Sequence, residues 1–151
     1  MVGDFAVGKT SLTQKFVNNA FSEKYLTTIG VKIDSVELAD TKLIVWDVAG
    51  RDSLSPINSS YLVGAAGIIL VADCTRPHTL IDLAELWEVV QQRIGNVPAT
   101  IALNKCDLSD WKVDDALIQQ YESRGWNCFP TSAKQGAGVS EIFESLHQKI
   151  R

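Results

Sequence analysis

Along the chain, segments with apolar residues on one helical face alternate with short segments that are alternating or wholly apolar. Leu12, Phe16 and Val17 share a face between Lys9 and Asn19, which predicts a helix stopped by Asn18-Asn19. Val31 to Leu38 and Leu43 to Asp47 read as two strands joined by a tight turn at Asp40-Thr41. Gly67 to Ala72 is unbroken and apolar, as a strand buried on both faces should be, and Ala99 to Leu103 reads the same way. From Thr79 to Ile94 a stripe of Leu80, Leu83, Leu86, Trp87 and Val90 predicts a long helix, capped by Thr79 with Asp82 three residues on and ended by Gly95. Asp114 to Ser123 reads as a helix ended by Gly125, Trp126 to Phe129 as a last strand, and Val139 to Ile150 as the final helix. The four tryptophans are expected to be packing residues, and His78 and His147 solvated surface residues.

Strands alternating with helices imply a doubly wound α/β sheet, mostly parallel, to which the early hairpin adds one antiparallel strand. The 151 residues, 46% hydrophobic and 21% charged, fit a single compact domain over residues 1–151. A net charge of −4 with no basic tract argues against nucleic-acid binding. No apolar run is long enough to span a bilayer, and no signal-peptide pattern follows Met1. Cys74, Cys106 and Cys128 are odd in number and lack CxxC spacing, which fits reduced thiols and a cytoplasmic protein. Only Met1-Val2 precede a glycine-rich loop, so the strand that should lead into it is largely missing from the chain. That strand would be central in the sheet, and a chain extended upstream by about five apolar residues is expected to melt higher.

In such a sheet, ligands bind beyond the carboxyl ends of the strands, so chemistry is sought in the loops that follow them. Gly3-Asp4-Phe5-Ala6-Val7-Gly8-Lys9-Thr10 satisfies GxxxxGK[ST] and opens the first predicted helix. Its backbone N–H groups can wrap a phosphate chain, with Lys9 reaching the terminal phosphates and Thr10 offering a hydroxyl to Mg²⁺. Asp47-Val48-Ala49-Gly50 follows the strand LIVW; Asp47 can bind Mg²⁺ through water, and Gly50 lets a backbone N–H approach the terminal phosphate. Asn104-Lys105-Cys106-Asp107 follows another strand. One carboxylate, that of Asp107, can accept both the N1–H and N2–H of guanine, a pair adenine does not offer. Asn104 can brace this loop and the Lys105 stem can cover the base. Thr131-Ser132-Ala133-Lys134 follows the last strand, where backbone N–H groups can meet the guanine O6.

With these loops in order, the chain resembles a Ras-superfamily small GTPase, closest to the Rab branch, with a bacterial Rab-like protein also fitting. GDFAVGKTSL, YLTTIGV, WDVAG, SSYLVGAAGIILVAD, NKCD and TSAK carry the resemblance from Gly3 to the C-terminus. It implies a P-loop NTPase fold, GTP and GDP as ligands with Mg²⁺, and hydrolysis of GTP to GDP and phosphate in a molecular switch. Gly3, Phe5, Ala6, Val7, Gly8, Lys9, Thr10 and Ser11 would then form the phosphate cradle. Thr28 resembles the threonine that contacts Mg²⁺ and the γ-phosphate, Phe21 the aromatic packed on guanine, and Tyr25 the tyrosine that closes over the phosphates. Asn104, Lys105, Asp107, Ser132, Ala133 and Lys134 would hold the base; Thr10, Thr28 and Asp47 the metal; and Lys9, Thr28, Gly50 and Arg51 the hydrolytic step. Segments 25–31 and 51–61 resemble the two switches, the expected contact surfaces for effectors, exchange factors and GTPase-activating proteins. Rab-like proteins usually end in prenylated cysteines, whereas this chain ends at Arg151, so membrane attachment is expected only through a further C-terminal tail.

Two positions depart from the family pattern. Arg51 stands where glutamine usually orients the attacking water, and a guanidinium has no acceptor for that task. Phe5 stands where a small residue is usual, so its ring would crowd the γ-phosphate and any arriving arginine. These departures predict tight binding with slow intrinsic hydrolysis. The rival reading makes Arg51 itself an arginine finger in cis. The alternative function is a constitutively GTP-bound scaffold with little hydrolytic activity. A nucleotide kinase is opposed by NKCD and by the absence of an arginine-rich lid segment.

Overall fold

The computed structural model of the chain describes residues 1–51 and 56–151. Strand β1, Val2–Gly3, runs parallel to β4, Ile68–Asp73, which pairs with β5, Ala99–Asn104, and that in turn with β6, Asn127–Pro130. Strands β2, Val31–Leu38, and β3, Thr41–Val48, form the antiparallel hairpin. Backbone hydrogen bonds join the hairpin to the other side of β1. The Met1 nitrogen donates to the Trp46 carbonyl (2.9 Å), Val48 N–H to Met1 (3.3 Å), Arg51 N–H to Gly3 (3.4 Å) and Phe5 N–H to Arg51 (2.9 Å). Across the molecule the strands therefore run β2, β3, β1, β4, β5, β6. The two residues of β1 sit at the centre, as the pattern predicts.

Helices cover both faces. The described helices are α1, Lys9–Asn18; α2, His78–Ile81; α3, Leu83–Ile94; α4, Asp115–Ser123; and α5, Val139–Ile150, with one 3₁₀ turn at Ser59–Leu62. The two-residue period of the strands divides the core. Ile68, Leu70 and Ala72 of β4, with Ala99, Ile101 and Leu103 of β5, meet Leu83, Leu86, Trp87 and Val90 of α3. Ile69 and Val71, with Ala102, face Leu12 of α1 and Ile142, Phe143 and Leu146 of α5. Phe16 and Phe143 stack with ring centroids 3.9 Å apart, fastening α1 to α5. All of these strand residues are buried, which accounts for the apolar runs without polar alternation.

Four local expectations are corrected. The hairpin turns at Ala39-Asp40 rather than Asp40-Thr41, with Ala39 in the left-handed region (φ +53°) and Thr41 already in β3. The long helix is divided at Asp82, and Thr79 lies inside α2 rather than capping it. Its hydroxyl instead braces the end of β4, accepting from Asp73 N–H and lying 2.9 Å from the Asp73 carbonyl and 2.8 Å from that of Arg76. His147 is buried, because it falls on the same face of α5 as Val139, Ile142, Phe143 and Leu146; His78 is exposed. Trp87 and Trp126 pack in the core and Trp111 is partly buried against it, but Trp46 is 41% exposed, beside Ile44 and opposite Ile33 on the hairpin's open face.

Candidate functional site

The loops after β1, β3, β5 and β6 meet at the carboxyl ends of the strands, around a cleft of about 880 Å³. Residues 4–8 turn from β1 into α1. Gly8 makes that turn at φ +103°, and a Cβ there would overlap the Asn104 amide. Ala6 also sits at positive φ (+59°), so the backbone curls into a concave loop of the kind that receives anions. Gly3 and Val7 do not line the cleft. They are buried beneath it, while Phe5, Ala6, Gly8, Lys9, Thr10 and Ser11 do line it.

Lys9 is buried at the start of α1, with its ammonium 3.3 Å from the Gly3 carbonyl and 3.0 Å from that of Asp4. Burial holds its pKa down to about 8, against the pull of Asp47 and Asp4. Gly50 closes on the same point: a Cβ there would lie 2.8 Å from the Lys9 ammonium and 2.8 Å from the Phe5 Cα. The absence of a side chain is a steric requirement of this contact.

At the end of β3, Asp47 is fully buried and accepts a hydrogen bond from the Thr10 hydroxyl, which is 2.7 Å from the Thr28 hydroxyl. Its Oδ1 is buried with no partner among the described residues, and burial pushes its pKa up despite the Thr10 hydrogen bond and the nearby Lys9. An orphaned carboxylate oxygen, on a carboxylate whose other oxygen leads to the Thr10 and Thr28 hydroxyls in turn, is a donor set that suits a hard, oxygen-seeking cation. The residues fit Mg²⁺.

The other end of the cleft is built from β5 and β6. Asn104 is buried; its amide donates to Val7 O (2.9 Å) and its carbonyl accepts from Thr131 (3.1 Å), so it ties the phosphate-side loop to the last one. Lys105, at φ +67°, donates to Ala6 O (3.2 Å) and pairs with Asp73 (2.8 Å). Asp107 lines the cleft and is partly exposed; on the facing loop Ala133 lines it while buried and Lys134 lines it while exposed. Ser132 is buried behind them; its N–H goes to Ala137 O (2.9 Å) and its hydroxyl caps Gln135 N–H (3.0 Å). From the near rim Phe21, Tyr25 and Thr28 also face the cleft. Lys134 meets Glu23 across the mouth at 2.9 Å, both side chains more than half exposed.

The two departures have definite places. The Phe5 ring packs edge-on against Tyr25, centroids 5.5 Å apart, at the rim. Arg51 faces three carboxylates: Asp4 (3.2 Å), Asp82 (3.4 Å) and Glu85 (3.2 Å). It does not line the cleft, and only 18% of its side chain is exposed. Residues 52–55 of the expected second switch lie outside the described residues. Sequence reasoning missed Asp73 and Arg76. Asp73, buried at the end of β4, binds Lys105, Thr75 and Arg76, and Arg76 reaches on to the Phe5 carbonyl (2.6 Å). Their only signal was position, directly after a buried strand.

Burial pushes the thiols of Cys74 and Cys128 up to about 12, which leaves them protonated and unreactive at neutral pH. No helix among the described residues is long and apolar enough to cross a membrane.

A family model described as the Ras family matches residues 1–151. The Ras-related protein Rab-1 of Theileria annulata is 34% identical over 159 aligned residues, which cover 100% of this chain and 72% of that protein. The Ras-related protein Rab-1 of Theileria parva is 33% identical with the same coverage.

Proposed function

The chain belongs to the Ras family, as a Rab-like small GTPase that binds guanine nucleotide as a switch, and on that footing we propose a specific reading of its cleft. Residues 1–151 act as one G domain in which GTP or GDP lies along the cleft, phosphates on the loop from Gly3 to Thr10 and base beside Asp107. The observation that supports this most is the continuity of the cleft, with Lys9 and Thr10 at one end and a cleft-facing carboxylate, Asp107, at the other. An anion cradle alone selects phosphate; the added carboxylate selects a base with two adjacent donors.

Thr10, Thr28 and Asp47 would hold Mg²⁺. When bound, the ion neutralises charge on the β- and γ-phosphates. The chain's own groups do the rest. Lys9 exchanges its two carbonyl partners for phosphate oxygens, and Gly50 leaves room for a backbone N–H beside the terminal phosphate. Asn104 holds the phosphate and base loops at a fixed distance. Residues 25–31 carry Tyr25, Leu26 and Ile29 outward, with Ile29 91% exposed, which suits a surface read by effector and regulator proteins. A cytoplasmic place fits protonated, unpaired thiols.

Hydrolysis is slow in this reading. Arg51 is engaged by carboxylates away from the cleft and has no acceptor to orient water. Phe5 with Tyr25 narrows the approach to the terminal phosphate. The same observations favour a second reading, a scaffold that remains GTP-bound. Titration calorimetry with GTP and ATP in the presence of Mg²⁺ tests the assignment: GTP binds at least about 100-fold more tightly, and equal affinities would sink it. Nucleotide extracted from the purified protein separates the readings, since GDP marks the switch and GTP the scaffold.

A further inference from the structure

A second cavity, of about 660 Å³, opens at the opposite pole of the sheet, where β5 and β6 begin. Ala99 at the start of β5 lines this cavity and Asn104 at the end of β5 lines the cleft, about 17 Å apart along the strand. Much of its lining is apolar. Trp87 of α3 and Trp126, just before β6, are buried and meet edge to face with ring centroids 5.1 Å apart. Val97 and Pro98 line it half-buried.

The charged residues of the lining are two cations, Arg124 and Lys149, and no carboxylate lines it. The Arg124 guanidinium lies over the Trp126 ring, 5.3 Å from its centroid. The Lys149 ammonium lies 2.9 Å from the Gly125 carbonyl and 3.3 Å from that of Ala99, which takes up two of its three N–H groups and leaves one. Neither cation is paired with a carboxylate among the described residues. Burial pulls the Lys149 pKa below the ordinary 10.5, and no carboxylate restores it. In a chain of net charge −4, two uncompensated cations in one cavity make a local field that attracts negative charge.

Size and lining narrow the ligand further. Each molecule of liquid water takes about 30 Å³, so the cavity has the volume of about twenty waters, far more than an inorganic anion fills. Small-molecule sites combine an apolar lining with a few placed polar groups in cavities of this size. We propose that this cavity binds a small organic anion, a carboxylate carried on an aromatic body, with its ring on the apolar lining and its charge on Arg124 and Lys149. The planar guanidinium fork can take both carboxylate oxygens while its face stays on the indole, and Lys149 has one N–H to add. The site stands at the far pole from the cleft and does not depend on the nucleotide reading.

The four tryptophans give four indole N–H signals in a ¹H–¹⁵N spectrum, and Trp87 and Trp126 line this cavity while Trp46 and Trp111 do not. The probe is 1-naphthoate, with 1-naphthalenemethanol as its uncharged counterpart and inorganic phosphate as the bare anion. Naphthoate should shift the Trp87 and Trp126 signals saturably and leave the other two in place, alike with and without GDP and Mg²⁺. Its dissociation constant should be at least about 10-fold lower than that of the alcohol, and Arg124→Gln should erase most of that difference. Arg124→Lys, which keeps the charge without the fork, should fall between wild type and Arg124→Gln. Arg124 is exposed, so both variants should fold, and an unchanged melting temperature checks this. The inference is overturned if naphthoate moves none of the signals or all four alike, or if the alcohol binds as tightly. It is equally overturned if phosphate shifts the same two signals as strongly, or if Arg124→Gln binds naphthoate with undiminished affinity.

Discussion

Asp107 owes its proposed importance to its place, facing the cleft at the end away from Lys9 and Thr10. Replacing it with alanine should leave the fold intact and cost GTP about 100-fold or more in affinity, since two hydrogen bonds to a carboxylate are lost. ATP affinity should barely move, so the GTP-to-ATP ratio from calorimetry is the measurement. Asp107 is legible in sequence because one carboxylate after a strand matches one feature of guanine. Arg76 is not legible. A lone arginine in a polar loop carries no pattern, and only the fold brings it to the Phe5 carbonyl 71 positions away in sequence. Asp73 is a middle case. Burial pushes its carboxyl up, but the hydrogen bonds from Lys105 and Thr75 outweigh this, and its pKa lies below the ordinary 3.8. A depressed carboxylate adds stability above its unfolded pKa and loses it as the folded group protonates. Asp73→Asn should therefore cost about 3 kcal/mol at neutral pH and flatten the loss of stability below about pH 4, as urea melts across pH would report.

Among the elements, the Arg51 cluster ties the start of the phosphate-side loop to Asp82, where α2 and α3 meet, and to Glu85 on α3. Arg51 and Asp4 are both mostly shielded from solvent, so their pairing should show a coupling of about 1–2 kcal/mol in a double-mutant cycle of Arg51→Met with Asp4→Asn. A coupling near zero would mean that Arg51 is free to serve elsewhere. Burial pushes the Asp4 carboxyl up, Asp82 adds to this and Arg51 opposes it, so removing Arg51 should raise it further. The sequence pattern reads element type well and junctions poorly. The stripe through α3 continues back to Leu80, and nothing in it marks the division at Asp82. For His147 the polarity of the side chain points to the surface, but its place on the α5 stripe buries it.

The whole molecule is a sheet whose centre is its shortest strand. β1 lies between the hairpin and β4, bonded to both, and the loops after β1 and β3 reach the cleft from adjacent strands. The layered architecture was legible because β4 and β5 are apolar on both faces, a pattern that only a doubly covered sheet requires. The carboxylate clamp on Arg51 was not, because it joins residues from separate segments. Since the cleft draws on loops from both halves, ligand binding should stabilise the entire fold. GTP with Mg²⁺ at 100 times its dissociation constant should add about 2.7 kcal/mol and raise the melting temperature, whereas ATP at the same concentration should not. A differential scan with each nucleotide checks this.

The bridge between Glu23 and Lys134 closes the cleft only at its outermost edge, where water and dissolved ions compete for both charges. A fastening so exposed breaks and reforms without resistance. How long a bound molecule lingers inside is therefore governed from the floor of the cavity, and the doorway has little say.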